Sequence, residues 1–241
     1  MWKDEDKTWL AKFYPSLKPT GARTLEGSLS FQMLHLEVVH YIRPASDFVA
    51  ANSDRGAYLC DTYQIKVEFH DGLDFPLVYE TAGRIAAIAA RDGKITADLH
   101  LYSDTGALCL ASAMEMERAF EKGFSLSILI DEFVVPYLFA QSYYAAYGVW
   151  LWGELSHGYK GLLQWLGRLN DYDDNDIAAT YRVLVAQQDA EQAKELLQKR
   201  CRGHRPCPCG SGRKARDCCP ELKNAISRLR GAKSRGILPN G

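Results

Sequence analysis

Two groups of residues in this chain have the types and spacing to do chemistry. Four cysteines, Cys207, Cys209, Cys218 and Cys219, crowd into "CPCGSGRKARDCC" as C-x-C-x8-C-C. Thiolates brought together by a glycine-bearing turn can close a tetrahedral site. Zn²⁺ is its natural occupant, because it accepts soft sulfur ligands and a closed structural site needs no open position. The second group is the stretch "HLYSDTGALCL", His100 to Leu110, around Cys109. Ser103-Asp104-Thr105-Gly106 is a turn sequence, with Asp104 able to bond its own downstream backbone and Gly106 free to take a positive φ. Flanked by Leu108 and Leu110, Cys109 is either a small buried hydrophobe or a nucleophile at the lip of that turn. A thiol with an ordinary pKa of about 8.5 is a few per cent thiolate at neutral pH, which suffices for exchange between thioesters. His100 lies across the turn from Cys109. A hydrolase built from Cys109, His100 and Asp104 is a further arrangement of the same residues, although Asp104 belongs more naturally to the turn.

The elements that must position these residues begin with "DEDKTWLAKFYPSL", a short helix ended by Pro15 and Pro19. Leu29, Phe31 and Met33 alternate along one strand, and Tyr63, Ile65, Val67 and Phe69 alternate against Gln64, Lys66 and Glu68 along another. Such alternation gives one wet and one buried face, hence an antiparallel sheet. Asp71-Gly72 turns the chain into "DFPLVYETAGRI", a third strand with Pro76 at an edge or irregular entry, and "KITADLHLY" is expected as a fourth. After Cys109 the pattern becomes helical. An apolar helix carries Pro136 as a kink, "HGYKGLLQWLGRL" follows, and a third helix is capped by Asp173, Asp174 or Asn175 and striped by Ile177, Tyr181, Leu184 and Leu196. Strands first and helices later argue α+β. The expected domains are a body over 1–170, a helical connector over 171–200 and a zinc module with a basic tail over 201–241.

The 47% hydrophobic and 24% charged content is that of an ordinary globular chain. The net charge of -1 hides an asymmetry, because from Lys199 onward basic residues far outnumber Asp217 and Glu221. An acidic body therefore carries a basic tail that could meet nucleic acid, an acidic partner surface or the acidic body itself. That tail lacks interleaved aromatics for base stacking, which argues against nucleic acid. The opening "MWKDEDKTWLAKF" is mixed in charge and shows no signal-peptide pattern, so a cytoplasmic protein is expected. Clustered cysteines in such a chain read as metal ligands rather than disulfides, with Cys201 a bystander and Cys60 and Cys109 alone in the body. The uncharged run Phe133 to Trp152 is long enough to cross a bilayer, but its tyrosines, Gln141, Ser142 and Pro136 suit a buried helix better, and no membrane span is expected.

"CPCGSGRKARDCC" resembles the SEC-C motif found at the end of the preprotein translocase ATPase and appended to many bacterial proteins. The resemblance covers about a dozen residues and implies zinc held by Cys207, Cys209, Cys218 and Cys219, with Ala215 where an aromatic is commoner. Over roughly Leu25 to Leu169, "YQIKVEF", "DFPLVYETAGRI" and "HLYSDTGALCL" follow the order of a ubiquitin-conjugating enzyme. "YETAGRI" and "GVWLWGELSHGYKG" more closely resemble the bacterial ubiquitin-conjugating-like (UBC) family of CBASS antiphage operons. This resemblance implies a UBC-like four-stranded antiparallel meander with flanking helices. It implies Cys109 as the thioester-forming cysteine and His100 at the first position of His-Pro-Asn. Leu101 and Tyr102 stand where Pro and Asn would, and the spacing to the cysteine is one residue shorter than in the eukaryotic enzymes. His157, in "GELSHG", either reaches the cysteine from the far side or belongs to a helix boundary capped by Ser156. The implied activity is that of a transferase accepting the C-terminal glycine of a partner, either a cGAS-like nucleotidyltransferase or a ubiquitin-like protein. A non-catalytic adaptor tethered through its zinc module, whose own partner is unspecified, is the alternative.

Overall fold

A computed structural model describes residues 2–36, 56–150, 158–186, 191, 194, 204, 206–207, 211–214 and 217–239. The chain is α+β and divides into two compact units, Met1–Ala111 with Ala119–Trp152, and Ser112–Arg118 with Gly153–Gly241.

The first unit opens with α1 (Asp4–Phe13), whose first turn carries Asp4, Glu5 and Asp6, where the positive end of the helix dipole favours them. Four antiparallel strands follow in the order β1-β2-β3-β4: β1 (Leu17–Pro19), β2 (Thr24–Leu36), β3 (Gly56–Glu68) and β4 (Leu77–Glu80). The alternation in the sequence sets the register. Leu25 pairs with Val67 and Leu29 with Tyr63, and Leu25, Leu29, Phe31, Tyr63, Ile65 and Val67 all point into the core. Gly27, paired with Leu17, has φ 144°, and a Cβ there would lie 2.0 Å from the Ser16 carbonyl oxygen. Only glycine lets β1 approach this closely.

Two local expectations change. "KITADLHLY" is not the fourth strand: Thr96–Leu99 is a single 3-10 turn, and β1, three residues beginning at Leu17, fills that place at the sheet edge. "DFPLVYETAGRI" is strand only to Glu80. Glu80 Oε1 and Oε2 then accept the Ala82 and Ile85 N–H groups and start α2 (Arg84–Arg91), whose Ile85, Ile88 and Ala89 are buried. The carboxylate satisfies amides that the start of a helix leaves without partners.

Beyond Cys109 come α3 (Ala113–Ala119), α4 (Leu126–Ile128), a π-helical turn over Leu129–Val134 and α5 (Val135–Tyr147). The wide turn lies immediately before Pro136, which lacks an N–H and crowds the carbonyl four residues back, so the ladder shifts register there. Buried Tyr137, Leu138, Phe139, Gln141, Ser142 and Tyr144 make α5 a core helix. No helix among the described residues is long and apolar enough to cross a membrane.

Asp131, in the π-helical turn, accepts a 2.6 Å hydrogen bond from the Tyr14 hydroxyl. Burial pushes its carboxyl above the usual carboxylate range, and the Tyr14 bond only partly offsets this. A raised folded pKa stabilises the fold below the unfolded value, and that contribution is lost as pH rises through the folded value. Asp131→Asn keeps an acceptor for Tyr14 without the charge. It is expected to match the parent in thermal unfolding near pH 4 and to exceed it at pH 7, and scans at both pH values check this.

In the second unit, α6 (Tyr159–Arg168), α7 (Asp174–Ala186) and α8 (Pro220–Ser234) share a core of Leu163, Trp165, Leu166, Ile177, Leu184, Leu222, Ala225 and Leu229. The sequence grouped Tyr159–Arg168 with the body over 1–170; here it packs on α8. Asp173 caps α7 by accepting the Asn175 and Asp176 N–H groups at 2.8 and 2.9 Å, while Asp176 accepts the Asp173 N–H. The remainder of the expected third helix, including Leu196, lies outside the continuously described residues. A Cβ on Gly167 would sit 1.9 Å from the Glu221 carbonyl oxygen. Gly167→Ala must therefore push α6 and α8 apart, and a loss of about 1–3 kcal/mol is expected in denaturant unfolding of this unit.

Candidate active cysteine and metal cluster

The Cys109 segment is a tight hairpin. Leu101 and Leu108 form an antiparallel bridge, the Tyr102 N–H donates to the Ala107 carbonyl at 2.8 Å, and the Gly106 N–H donates to the Tyr102 carbonyl at 2.7 Å. Gly106 takes φ 72°, Asp104 Oδ1 accepts the Thr105 N–H and Thr105 Oγ1 accepts the Ala107 N–H. Asp104 thus serves the turn. The Leu108 N–H donates to the Val78 carbonyl at 2.7 Å, tying the hairpin to β4. Ala107 and Leu108 are buried, whereas Cys109 and Leu110 are only partly covered. Buried Leu108 anchors the loop, Leu110 does so only in part, and Cys109 keeps partial access to solvent.

The Cys109 N–H donates to the His100 carbonyl at 2.7 Å, so the backbone brings these two residues together. His100 ends the 3-10 turn with φ 58° and ψ 44°, and among the described residues it is the non-glycine residue with positive φ. A side chain there costs on the order of 1 kcal/mol, so surrounding contacts must hold it. The Tyr137 hydroxyl donates to the Leu99 and His100 carbonyls at 2.9 and 3.2 Å, and Gln141 Nε2 donates to the Leu99 carbonyl at 2.7 Å. The His100 ring stands edge-on to Trp150, centroids 5.3 Å apart, and Trp150 stacks on Tyr144. Helix α5 therefore floors the cysteine loop. Tyr137, Gln141 and Trp150 were not singled out as site residues from sequence. Their one visible signal was polar groups spaced four apart on an otherwise apolar helix.

Tyr102 was noted only as a substitute residue; it stands exposed on the same hairpin as Cys109. Desolvation, followed by the charge of Cys109, pushes this phenol well above its ordinary value. It remains a proton donor across the physiological range. His157 lies outside the described residues.

A second polar cluster braces the sheet against α2 and α5. Arg84 Nη1 and Nη2 donate to the two Asp61 carboxylate oxygens at 2.6 and 2.5 Å, Ser142 Oγ donates to Asp61 Oδ2 at 2.6 Å, and Tyr63 shares a hydrogen bond with Ser142. Burial alone would raise the Asp61 carboxyl, but the bonds from Arg84, Ser142 and the Thr62 N–H outweigh it and hold it low. The arrangement is a bidentate structural pair.

In the second unit, Cys207, Cys218 and Cys219 place their sulfurs within 4.8 Å of one another. Cys218 Sγ and Cys219 Sγ are 3.6 Å apart. Zinc–sulfur bonds of about 2.3 Å in a tetrahedron require sulfurs about 3.8 Å apart, whereas a disulfide requires about 2.05 Å. The donor set fits a thiophilic metal. Cys207 is buried among Leu222, Ala225 and Leu229, and its N–H donates to the Arg213 carbonyl at 2.7 Å. Gly212 turns the strand pair at φ 73°, Pro206 bridges Lys214, and Ser211 Oγ lies 3.0 Å from Cys218 Sγ. Cys219 stands at the N-cap of α8, where the helix dipole favours a thiolate. Cys209 and Cys201 lie outside the described residues.

These arrangements are a cysteine on a braced hairpin and a three-sulfur cluster able to hold a metal ion. Compared with protein-family models, curated proteins and solved structures, the chain matches none.

Proposed function

We propose that this chain is a ubiquitin-conjugating-like acyltransferase that carries the C-terminal glycine of a partner protein as a thioester on Cys109. The observation that carries this reading is the hairpin. It follows a four-stranded antiparallel meander and holds a half-covered Cys109 against the His100 carbonyl. The order of helix, meander, cysteine loop and core helix supports the UBC-like expectation. The partner class is a cGAS-like nucleotidyltransferase or a ubiquitin-like protein, and the setting is cytoplasmic antiphage defence of the CBASS type. Loading forms the Sγ–acyl bond of Cys109 and releases the donor's leaving group, with the thiol proton passing to that group. In the same proposal Zn²⁺ is held by Cys207, Cys218 and Cys219 with Cys209 as fourth ligand, and it supplies structure rather than reactivity.

The test is co-expression with a glycine-ended partner followed by non-reducing electrophoresis. The reading requires an adduct that thiols remove and that Cys109→Ala abolishes. An adduct that survives Cys109→Ala overturns it. The adaptor reading draws on one observation, the substitution of Leu101 and Tyr102 where Pro and Asn would stand. It is favoured if blocking Cys109 leaves biological activity intact while zinc chelation abolishes it.

A further inference from the structure

We propose that Cys218 and Cys219 are an oxidation site, a neighbouring pair that hydrogen peroxide closes into a disulfide and that small thiols reopen. The geometry of the pair stands by itself, and only the consequence for the metal rests on the proposed zinc site. Side chains of consecutive residues ordinarily diverge, pointing to opposite faces of a strand or about 100° apart around a helix. Here they converge. The Asp217 N–H donates to the Lys214 carbonyl at 3.0 Å, Cys219 takes φ -125° and ψ 83° ahead of α8, and the two sulfurs lie 3.6 Å apart. They are thiols, not a disulfide, and a bond needs them at about 2.05 Å. Cys207 is the rival partner, since all three sulfurs lie within 4.8 Å of one another. It is only 4% exposed, however, whereas Cys218 and Cys219 are both half-buried. Peroxide arriving from solvent therefore meets the pair first.

The reaction balances with hydrogen peroxide as the sole oxidant. One sulfur of the pair takes an oxygen from it and becomes a sulfenic acid, with water as the other product. The second sulfur attacks the first, the sulfur–oxygen bond breaks, and the oxygen leaves as a second water. The two sulfurs lose two electrons and the peroxide gains them. The two protons required come from the thiols or, where the sulfurs are zinc-bound thiolates, from solvent as Zn²⁺ departs. Consecutive Cα atoms stand about 3.8 Å apart, below the range of about 4.4–6.8 Å that relaxed disulfides span, so the new bond is strained and readily reduced. A bond between neighbours thus behaves as a reversible modification rather than a staple. It removes two of the converging sulfurs at once, and with them the hold on the ion.

The test uses the full chain as purified, treated with a small excess of hydrogen peroxide, blocked with N-ethylmaleimide under denaturing conditions and digested with trypsin. Cleavage after Arg216 and Lys223 yields "DCCPELK", which contains Cys218 and Cys219 and no other cysteine. Mass spectrometry is expected to find this peptide two hydrogens lighter and without maleimide after peroxide, and carrying two maleimides again when glutathione precedes the block. A chromogenic chelator is expected to register zinc release one for one with the lighter peptide. "DCCPELK" bonded to the peptide that carries Cys207 overturns the proposal, as does a lighter peptide that glutathione leaves closed. So does a peptide that still takes two maleimides once Cys60 and Cys109 are oxidised. If the lighter peptide forms reversibly but the purified protein yields no zinc, the oxidation site stands and the zinc reading fails.

Discussion

If Cys207, Cys218 and Cys219 hold zinc as proposed, stripping it from the purified protein is expected to unfold the segment around them and to loosen α8. The described backbone there has little regular structure of its own. It has one bridge between Pro206 and Lys214, two turns fixed by Gly212 and Asp217, and no extended ladder. Three thiols converge within 4.8 Å, with Cys207 pushed into the same core as Leu222, Ala225 and Leu229. Without a cation, thiolates this close repel one another and neutral thiols gain little. With zinc, the site supplies folding free energy directly, about 10–16 kcal/mol in small zinc modules. The protein as isolated should hold one zinc per chain by elemental analysis. Chelation, or Cys207→Ser, should speed tryptic cleavage after Arg213 and Lys214 by at least about tenfold, while Cys60→Ser changes nothing. Helices α6 and α7 should keep much of their ellipticity, because Leu163, Leu166, Ile177 and Leu184 bury one another. Zinc-free protein with undiminished protection at Arg213 would exclude a structural metal.

Strong periodicity was legible and local overrides were not. Tyr63, Ile65 and Val67 alternate so cleanly that the buried face followed from them, and the Asp173 cap could be narrowed to three neighbouring residues. "KITADLHLY" alternates too, but a 3-10 turn stopped by His100 in the left-handed region depends on Tyr137 and Gln141, far off in sequence, bonding the Leu99 and His100 carbonyls. Helix α8 was hidden by its charge. Arg228, Arg230, Lys233 and Arg235 suggested a solvated tail, although Leu222, Ala225, Ile226, Leu229 and Ala232 repeat at helical spacing and are all buried. At the site, the cysteines and the turn residues announced themselves through residue type. The floor of the site did not, because only the fold brings Tyr137 and Gln141 onto the Leu99 and His100 carbonyls.

Replacing Cys109 by alanine is expected to abolish acyl loading, at least a 100-fold loss, with the fold unchanged because Cys109 is only partly buried. The backbone bond that positions it, from its N–H to the His100 carbonyl, survives any side-chain change. Cys109→Ser keeps that position and offers a hydroxyl, a far weaker nucleophile at neutral pH than a partly ionised thiol. It should load slowly, and the product should be an oxyester that resists thiols and neutral hydroxylamine but yields to alkali. The pair of variants separates chemistry from packing. A buried structural cysteine would instead show lowered stability in Cys109→Ala and equal loading in parent and variant, since the acyl group would then sit elsewhere. Exposed Cys60 is the competing thiol, so Cys60→Ser must load like the parent. Intact mass after loading, with and without hydroxylamine, distinguishes thioester from oxyester from non-specific acylation. Loading that persists in Cys109→Ala and disappears in Cys60→Ser would move the chemistry from the hairpin to the sheet and end the proposed function.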